Sequence, residues 1–522
     1  MLRSTTIILS LISIPSSVFA VTVRVPQDQT SIQAAIDVTN AGDTVLVAAG
    51  RYEERIRLKS GITVRSAGDG SKGEAGLKRA EATILNGGGD KGDQPGVVMA
   101  EGSTLDGFTI TNVGVYDKAV WQKHFDSHGE ELADDEGSVQ AGETIPAVSI
   151  QSVNCTVINN ISHHNGDVGI AVVGSKERRI TPLIANNFSF RNLGGGIGVA
   201  DLAEPIVREN VCSENLRAGI GCRNSSPFII DNECFKNVRA GIGCREEATP
   251  IIRGNECYQN RRAGIGIRME GTAPIVENNE CYENDMAGIG NRDGAEPIIR
   301  SNKCYKNKMA GIGCDGSKPL IIGNECNENL MAGIGLSGKA NATVQTNKCV
   351  ENKLVAVGVT QESIATITDN ELLRTGGVPP LVAVKDGSTA SIYNNEFIGG
   401  GVAAVLVQGM ATISGNRFKG VGEKQGNAIW VWKGSTATVS DNTFDGYRSA
   451  VNATESELVV TDNIVREFRG PAIVVKDGSK PAHVFGNTAI LKDEKAVVVA
   501  VQGPKGVVAD NVVKSQEEIR GE

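Results

Sequence analysis

A repeat of about 23 residues dominates the middle of the chain and limits the folds open to it. The unit recurs almost unbroken from PIVRENVCSENLRAGIGCR to PLIIGNECNENLMAGIGLS. Its cysteine falls at Cys212, Cys234, Cys257, Cys281, Cys304, Cys326 and Cys349. Helical repeats need about 33 residues or more, whereas short β-branched runs separated by Gly, Pro and Asn are typical of strands. Each unit is therefore one solenoid coil of three short strands.

A recurring asparagine extends the coils far beyond the perfect repeats. It occurs at Asn187, Asn210, Asn232, Asn255, Asn279, Asn302, Asn324, Asn347, Asn370, Asn395, Asn416, Asn442, Asn463, Asn487 and Asn511. Stacked side-chain amides can hydrogen-bond along a rod and satisfy backbone groups at its corners. The sequence predicts an all-β fold, a single-stranded right-handed parallel β-helix over residues 21–513, followed by a charged tail at 514–522.

The N-terminal residues have the features of a secretory signal. Arg3 precedes the apolar run Ile7–Ile14, and Val18-Phe19-Ala20 fits a cleavage site near Ala20. We therefore expect a secreted or periplasmic protein. No later segment approaches the roughly 20 apolar residues of a membrane span. Thr30-Ser31-Ile32-Gln33 resembles a capping box and predicts a short capping helix that ends near Asn40.

The net charge of −9 argues against general nucleic-acid binding, so any anion site must be local. Eleven cysteines are an odd number for an exported protein. By strand alternation the seven-cysteine column faces inward, where cysteine packs as a small hydrophobe. A reduced core column is favoured over vertical disulfides or a soft-metal site, and no metal ligand is assigned.

The segment that ends each repeat predicts the surface of the rod. Alternation turns Ala218, Ile220 and Cys222 inward, and Arg217, Gly219, Gly221 and Arg223 outward. Two outer glycine columns would then lie between two arginine columns. The arginine columns are Arg217, Arg239 and Arg262, and Arg223, Arg245, Arg268 and Arg292.

Glycines let a ligand approach the backbone, and guanidinium groups hold carboxylates or sulfates in bidentate fashion. This pattern predicts a shallow trough for an acidic polysaccharide. In the alternative interpretation the arginines only solubilise the surface and pair with Asp201, Glu246 and Glu247. Beyond Arg292 the columns change to Met286, Met309 and Met331 on one side, and to Asp315 and Ser337 on the other.

A polar insertion interrupts the coils at residues 113–145. It contains Trp121, His124 and His128, and the next coil contributes His163, His164 and Asp167. These histidines and Asp167 are the candidate catalytic residues, because a base beside cations is what β-elimination or epimerisation of a uronic acid needs. On a helix, His124 and His128 could also bind zinc. The alternative is a surface flap with incidental histidines.

The opening segment VPQDQTSIQAAIDVTNAGDTVLVAAGRYEERIRL, followed by Asn- and Gly-rich coils, resembles the pectin-lyase-like superfamily of right-handed β-helix proteins. The repeats look like its carbohydrate-binding and sugar-hydrolase type. This resemblance implies a fold but not one activity, because the superfamily includes lyases, hydrolases, epimerases, esterases, adhesins and a periplasmic factor for copper-enzyme maturation. The paired aspartates of pectin methylesterases and the DPHD segment of alginate epimerases are missing. No catalytic residue is carried over, and a calcium cofactor would follow from the resemblance alone.

Three functions compete on this evidence. The first is an exported protein that binds, and in a lyase or epimerase reaction modifies, an acidic polysaccharide along the glycine and arginine face. The second is a non-enzymatic cell-surface or adhesive β-helix. The third is a periplasmic accessory factor for metal proteins.

Overall fold

The computed structural model describes residues 20–127, 145–422, 425–476, 482–491, 497–501 and 506–515. The chain winds into a solenoid of about 20 coils, each made of up to three short strands. Every strand pairs in parallel with the equivalent strand of the neighbouring coils, so that Cys234 lies between Cys212 and Cys257. The predicted all-β parallel β-helix with coils of about 23 residues is confirmed.

The strands form three long parallel sheets, which we call A, B and C. Sheet A consists of Thr22–Val25, Thr44–Val47, Thr63–Ser66, Thr104–Asp106, Thr156–Ile158, Leu183–Ala185, Ile206–Arg208, Phe228–Ile230, Ile251–Arg253, Ile275–Glu277, Ile298–Arg300, Leu320–Ile322, Asn341–Gln345, Ile364–Thr368, Thr389–Tyr393, Met410–Ser414, Thr436–Ser440, Glu457–Thr461, Ala482–Phe485 and Gly506–Ala509. Sheet B consists of Gly50–Tyr52, Thr83–Gly89, Thr109–Val113, Ile161–His163, Phe188–Phe190, Val211–Ser213, Glu233–Phe235, Glu256–Tyr258, Glu280–Tyr282, Lys303–Tyr305, Glu325–Asn327, Lys348–Val350, Glu371–Arg374, Glu396–Gly399, Arg417–Lys419, Thr443–Asp445, Ile464–Arg466, Thr488–Leu491 and Val512–Ser515. Sheet C consists of Ile56–Arg57, Val97–Val98, Val148–Gln151, Ile170–Val173, Ile197–Ala200, Ile220–Arg223, Ile242–Arg245, Ile265–Arg268, Ile289–Arg292, Ile312–Asp315, Ala332–Ser337, Val355–Val359, Val382–Val384, Ala403–Val407, Asn427–Val431, Ser449–Thr454, Ile473–Lys476 and Val499–Val501.

Three helices accompany the described strands: α1 at Ile32–Val38, α2 at Lys78–Ala82 and α3 at Lys118–Asp126. The Ser31 hydroxyl accepts a hydrogen bond from Ala34 N at 3.1 Å and so begins α1. Buried Ile32 and Ile36 anchor α1 on the first coils. The predicted capping helix is therefore present.

The interior is apolar and closely packed, with Ile and Val from all three sheets and the cysteine column fully buried. All eleven cysteines are free and buried. Burial raises the pKa of the Cys314 thiol to about 12, so this thiol stays protonated at neutral pH. Because all eleven cysteines are buried, they pack as small apolar residues of the core.

The predicted asparagine column is a continuous hydrogen-bonded ladder, which begins one coil earlier than expected, at Asn160. Asn232 Oδ1 accepts from both Asn210 N and Asn210 Nδ2 at 3.0 Å, and the same pattern repeats from coil to coil. The residue before each asparagine adopts a left-handed backbone, as Asp231 does at φ 52°. The ladder bonds offset the cost of that conformation.

A second asparagine ladder, not anticipated from the sequence, lies at the corner between sheets B and C. It consists of Asn165, Asn192, Asn215, Asn237, Asn260, Asn284, Asn307, Asn329 and Asn352. Asn260 Oδ1 accepts from Asn237 N at 3.1 Å, and Asn260 Nδ2 donates to Cys234 O at 3.0 Å. This corner carries the candidate site on its outer side.

Candidate functional site

The outer surface of sheet C forms the floor of the candidate site. In the strand Ile220–Arg223, Ile220 and Cys222 are buried while Gly221 and Arg223 lie on the outer side. A Cβ atom placed on Gly221 would meet nothing within 4 Å, so the backbone is open to a ligand there. The predicted alternation is correct within the strand itself.

The prediction of two outer glycine columns is wrong. The strand begins at Ile220, and the turn before it breaks the alternation, so Gly219 is buried and Ala218 faces outward. A Cβ on Gly219 would lie 2.8 Å from Gly241 O and 2.9 Å from Asn237 Nδ2. Only glycine fits at this position. One outer glycine column (Gly221, Gly243, Gly266, Gly290, Gly313 and Gly335) therefore runs beside an alanine column (Ala218, Ala240, Ala263, Ala287, Ala310 and Ala332).

The arginines form two columns with members one coil apart. Arg239 N donates to Arg217 O at 3.4 Å, and Arg262 N donates to Arg239 O at 3.3 Å. In the other column Arg223 lies in register with Arg245, and Arg268 with Arg292. We call these two columns, with the glycine and alanine columns, the arginine face; its arginines are Arg217, Arg239, Arg262, Arg223, Arg245, Arg268 and Arg292.

Charges from both columns act on one another. Burial lowers the pKa of Arg245; the nearby charges of Arg268, Arg223 and Arg217 lower it further, while Glu246 opposes the shift. Among the acids expected to neutralise the face, Asp201 lies 3.4 Å from Arg223, and Glu246 lies 3.4 Å from Arg245 and 3.8 Å from Arg223. The arginine face is thus partly neutralised along one edge and keeps mutual repulsion between its cations.

Asp167 lies at the upstream end of the first arginine column. Arg217 N donates to Gly194 O at 3.1 Å, and a Cβ on Gly194 would lie 2.5 Å from Asp167 Oδ1. The absence of a side chain at Gly194 therefore leaves room for the carboxyl group of Asp167 in the preceding coil. Burial raises the pKa of Asp167, while the Arg217 charge and backbone hydrogen bonds from Val168 and Ile145 oppose that rise. The structure thus places a carboxyl group with a raised pKa two coils before Arg217, at the upstream end of the first arginine column.

His163 and His164 make contacts of their own. His163 and His164 face each other with their Nδ1 atoms 2.7 Å apart, and the His163 ring stacks on Phe190 at 4.9 Å. Burial, with a smaller contribution from the His164 charge, lowers the pKa of His163 to about 4. Within the described part of the chain, neither histidine forms a hydrogen bond to Asp167. His124 lies on α3 with a buried Nδ1 that has no hydrogen-bond partner among the described residues, and His128 lies outside them.

Helix α3 docks beside the arginine face. Trp121 packs on Leu216 and Val238 and donates from Nε1 to Glu214 O at 2.9 Å. Its ring stacks on Phe125 at 4.7 Å, and the Arg191 guanidinium lies 5.0 Å from the Trp121 ring centre. A cleft of about 460 Å³ opens between α3 and the corner; it is lined by Trp121, Gln122, Phe125, Arg191, Glu214, Lys236, Gln259, Arg261, Glu283 and Asp285.

Trp121 stands out in the sequence, whereas the cleft beside it does not. The spacing of Trp121 and Phe125 by four residues was the available signal for a helix face that packs. The described ranges contain no group of three or more His, Cys, Asp or Glu side chains arranged to hold a metal ion. They also contain no helix with the length and apolar character of a membrane span.

A family model described as the right handed beta helix region matches residues 146–273, 235–372 and 355–513. The chain belongs to this family. The right handed beta helix region family thus covers the repeats, the arginine face and the C-terminal coils. No curated protein sequence matches the chain.

Solved structures with a similar fold include three of different kinds. A periplasmic alginate epimerase is 14% identical, with 72% of this chain and 82% of that chain covered and a TM-score of 0.37. A GH87 α-1,3-glucanase from Streptomyces thermodiastaticus is 12% identical, with 68% and 64% covered and a TM-score of 0.42. Gene product 12 of bacteriophage phi29 is 12% identical, with 90% and 69% covered and a TM-score of 0.45. Similarity at this level concerns the coiled path of the chain and assigns no residue.

Proposed function

We propose that this protein is exported and binds an acidic polysaccharide along the arginine face. The observation that carries the proposal is that Arg217, Arg223 and Arg268 all act on Arg245. Burial is the main cause of the lowered pKa of Arg245, and these three charges lower it further. Partly buried cations that repel one another are a cost to the folded protein, and a polyanion laid across them would relieve it. The open backbone at Gly221 and its equivalents lets a flat chain approach closely.

The geometry also supports a role for Asp167 in a reaction of the lyase or epimerase type. Removal of the proton next to a uronate carboxylate needs a base and a cation that stabilises the developing charge. Asp167 is the candidate base, and Arg217, whose charge acts on Asp167, is the candidate cation. His163 is less suited, because it stacks on Phe190 and its Nδ1 faces His164.

Binding is tested by titration calorimetry of polygalacturonate, alginate and a sulfated glycan at two salt concentrations. Affinity should fall with salt because screening weakens contacts between exposed charges. The double variant R239Q/R245Q should bind about tenfold more weakly or worse, since each lost charge-assisted hydrogen bond costs about 1.5–3 kcal/mol. The matched control is R208Q/R417Q, a partly buried arginine on sheet A and an exposed one on sheet B.

Unchanged affinity in R239Q/R245Q would defeat the binding proposal. Turnover is tested separately by assaying unsaturated or epimerised products with the wild type and with D167N. D167N should bind the glycan normally and lose product formation. If D167N turns over normally while H163F does not, the reaction is assigned to the histidine pair instead; binding without any product identifies a non-enzymatic binding protein.

A further inference from the structure

The first arginine column continues downstream as an apolar column. Met286 N donates to Arg262 O at 3.2 Å, and Met309 N and Met331 N continue the series at 3.1 and 2.9 Å. Leu354 N then donates to Met331 O at 2.8 Å. The position equivalent to Arg217 therefore carries arginine in three successive coils and a large apolar side chain in the next four. Those four coils span roughly 14 Å at about 4.8 Å per coil.

These apolar side chains are exposed together. Met286, Met309, Met331 and Leu354 are 42, 40, 42 and 48% exposed, and the adjacent Leu330 is 45% exposed. We call these five residues the methionine patch. Leu330 also lines a shallow cleft of about 440 Å³ whose walls include Lys308 and Lys353. Contiguous exposed apolar surface is costly in water and typically marks a place of contact.

The second arginine column ends near the same level. Arg292 lies in register with Asp315, and Asp315 with Ser337. The first column is therefore cationic from Arg217 to Arg262 and apolar from Met286 to Leu354, and the second column is cationic only as far as Arg292. A ligand complementary to both parts carries anionic groups at one end and a hydrocarbon chain at the other.

We propose that the polysaccharide ligand is acylated, and that its acyl group lies on the methionine patch while its acidic sugars lie on the arginine face. This inference rests on the proposed function and names the ligand class of the same surface. Unbranched, flexible methionines adapt to a hydrocarbon chain of variable path. The acyl group supplies the burial that these side chains lack in the free protein.

The test compares two probes that differ only in the acyl group: an oligouronate of fixed length, and the same oligouronate with one octanoyl ester, both used below the micellar concentration. The wild type should bind the ester about tenfold more tightly, a gain that burial of roughly two CH₂ groups supplies. The triple variant M286Q/M309Q/M331Q should lose that preference and retain its affinity for the unacylated probe. M286L/M309L/M331L, which stays apolar, and M410Q, an exposed methionine of sheet A, should keep the preference.

Equal binding of both probes by the wild type would overturn the inference and leave the proposed function intact. Failure to bind either probe would overturn the proposed function itself. A preference that survives in the triple Gln variant would show that the acyl group binds elsewhere. Self-association of the wild type in sedimentation, lost in the triple Gln variant, would identify the methionine patch as a contact between copies and also overturn the inference.

Discussion

The coils that carry Cys212 to Cys349 and the coils that follow fill the same interior position in opposite ways. In the first group, which we call the repeat block, the inward position of sheet B is cysteine. In the C-terminal coils the register continues through Leu372 to Phe397, Phe418 and Phe444. The phenylalanine rings stack at 4.4 and 4.8 Å. A column of small thiols thus gives way to a column of aromatic rings.

The second asparagine ladder explains the difference. In the repeat block a Cβ on Gly241 would lie 2.9 Å from Asn260 Nδ2 and 3.2 Å from Cys234 Cβ, so the corner is already full. The ladder ends at Asn352, and the buried Arg374 guanidinium donates to the carbonyls of Asn352, Leu354 and Pro379. Beyond that point the ladder has no further member in the described coils, the buried Gln425 amide donates to Gly400 O, and phenylalanine fills the inward position of sheet B. The repeat block fills this volume with an asparagine ladder and a small thiol. The C-terminal coils fill the same volume with a stack of aromatic rings.

The largest effect should come from breaking the second ladder at its centre. Asn260→Ala removes the acceptor of Asn237 N and Nδ2 and the donor to Cys234 O, all buried. Each buried polar group left unsatisfied costs about 1–3 kcal/mol, so urea unfolding should show a loss of about 3–6 kcal/mol. The exposed Asn341→Ala is the control. An equal, small loss in both variants would mean that the ladder does not stabilise the block.

Phe418→Ala should cost slightly less and act on the other region. Phe418 is fully buried between Phe397 and Phe444, and truncation of a buried phenylalanine costs about 3–5 kcal/mol. Because coils contact only their neighbours, the loss should appear in the unfolding of the C-terminal coils. Hydrogen exchange by region measures this, with Phe228→Ala, 40% exposed on sheet A, as control. Equal loss of protection in the repeat block would show that the two regions unfold as one unit.

The inward cysteine of the repeat block can be replaced by the phenylalanine of the C-terminal coils. Cys281→Ala leaves a small cavity and should cost about 1–3 kcal/mol. Cys281→Phe introduces the residue of the C-terminal coils where the asparagine ladder fills the corner, and should destabilise more than Cys281→Ala does. Denaturant unfolding of both variants gives the ranking. If Cys281→Phe matches or exceeds the wild type in stability, the ladder does not restrict the size of the inward residue.

The last effect depends on pH and concerns the upstream edge of the repeat block, where His163 continues the outer column of Phe190. Burial lowers its pKa to about 4 in the folded protein, below the ordinary value near 6.5. Between these values the unfolded chain binds more protons, so stability should fall as pH drops from about 6.5 to 4. His163→Phe removes the titrating group and keeps the stack. The variant should lose less stability over this interval than the wild type; parallel curves would contradict the predicted pKa.

The sequence was sufficient for those features that repeat locally. Asn232 and Cys281 follow from a fixed period, and Gly221 and Arg223 follow from alternation inside a strand. Alternation failed at Ala218 and Gly219 because the strand begins only at Ile220. The second ladder was equally periodic, and it was missed because one asparagine per coil already accounted for a corner.

The docking of α3 could not be predicted in this way. Trp121 meets Glu214, which is 93 residues later in the chain. That contact depends on how coils stack in space and not on any local pattern. The same holds for the placing of Asp167 in the coil before Gly194, which leaves room for its carboxyl group. Conversely, of the histidines predicted to act together, His163 and His164 form a partly buried pair on sheet B and His124 lies on α3.

Both asparagine ladders have a direction. Each side-chain carbonyl accepts from the coil before it, and each amide donates toward the coil after it, as in Asn210 and Asn232. The two ends of a ladder are therefore chemically different. At the upstream end Phe108 N and Val113 N supply the missing donors to Asn160 and Asn165. A rod shortened from the N-terminal side exposes lone pairs and needs a donating cap, whereas one shortened from the C-terminal side exposes N–H groups and needs an accepting cap.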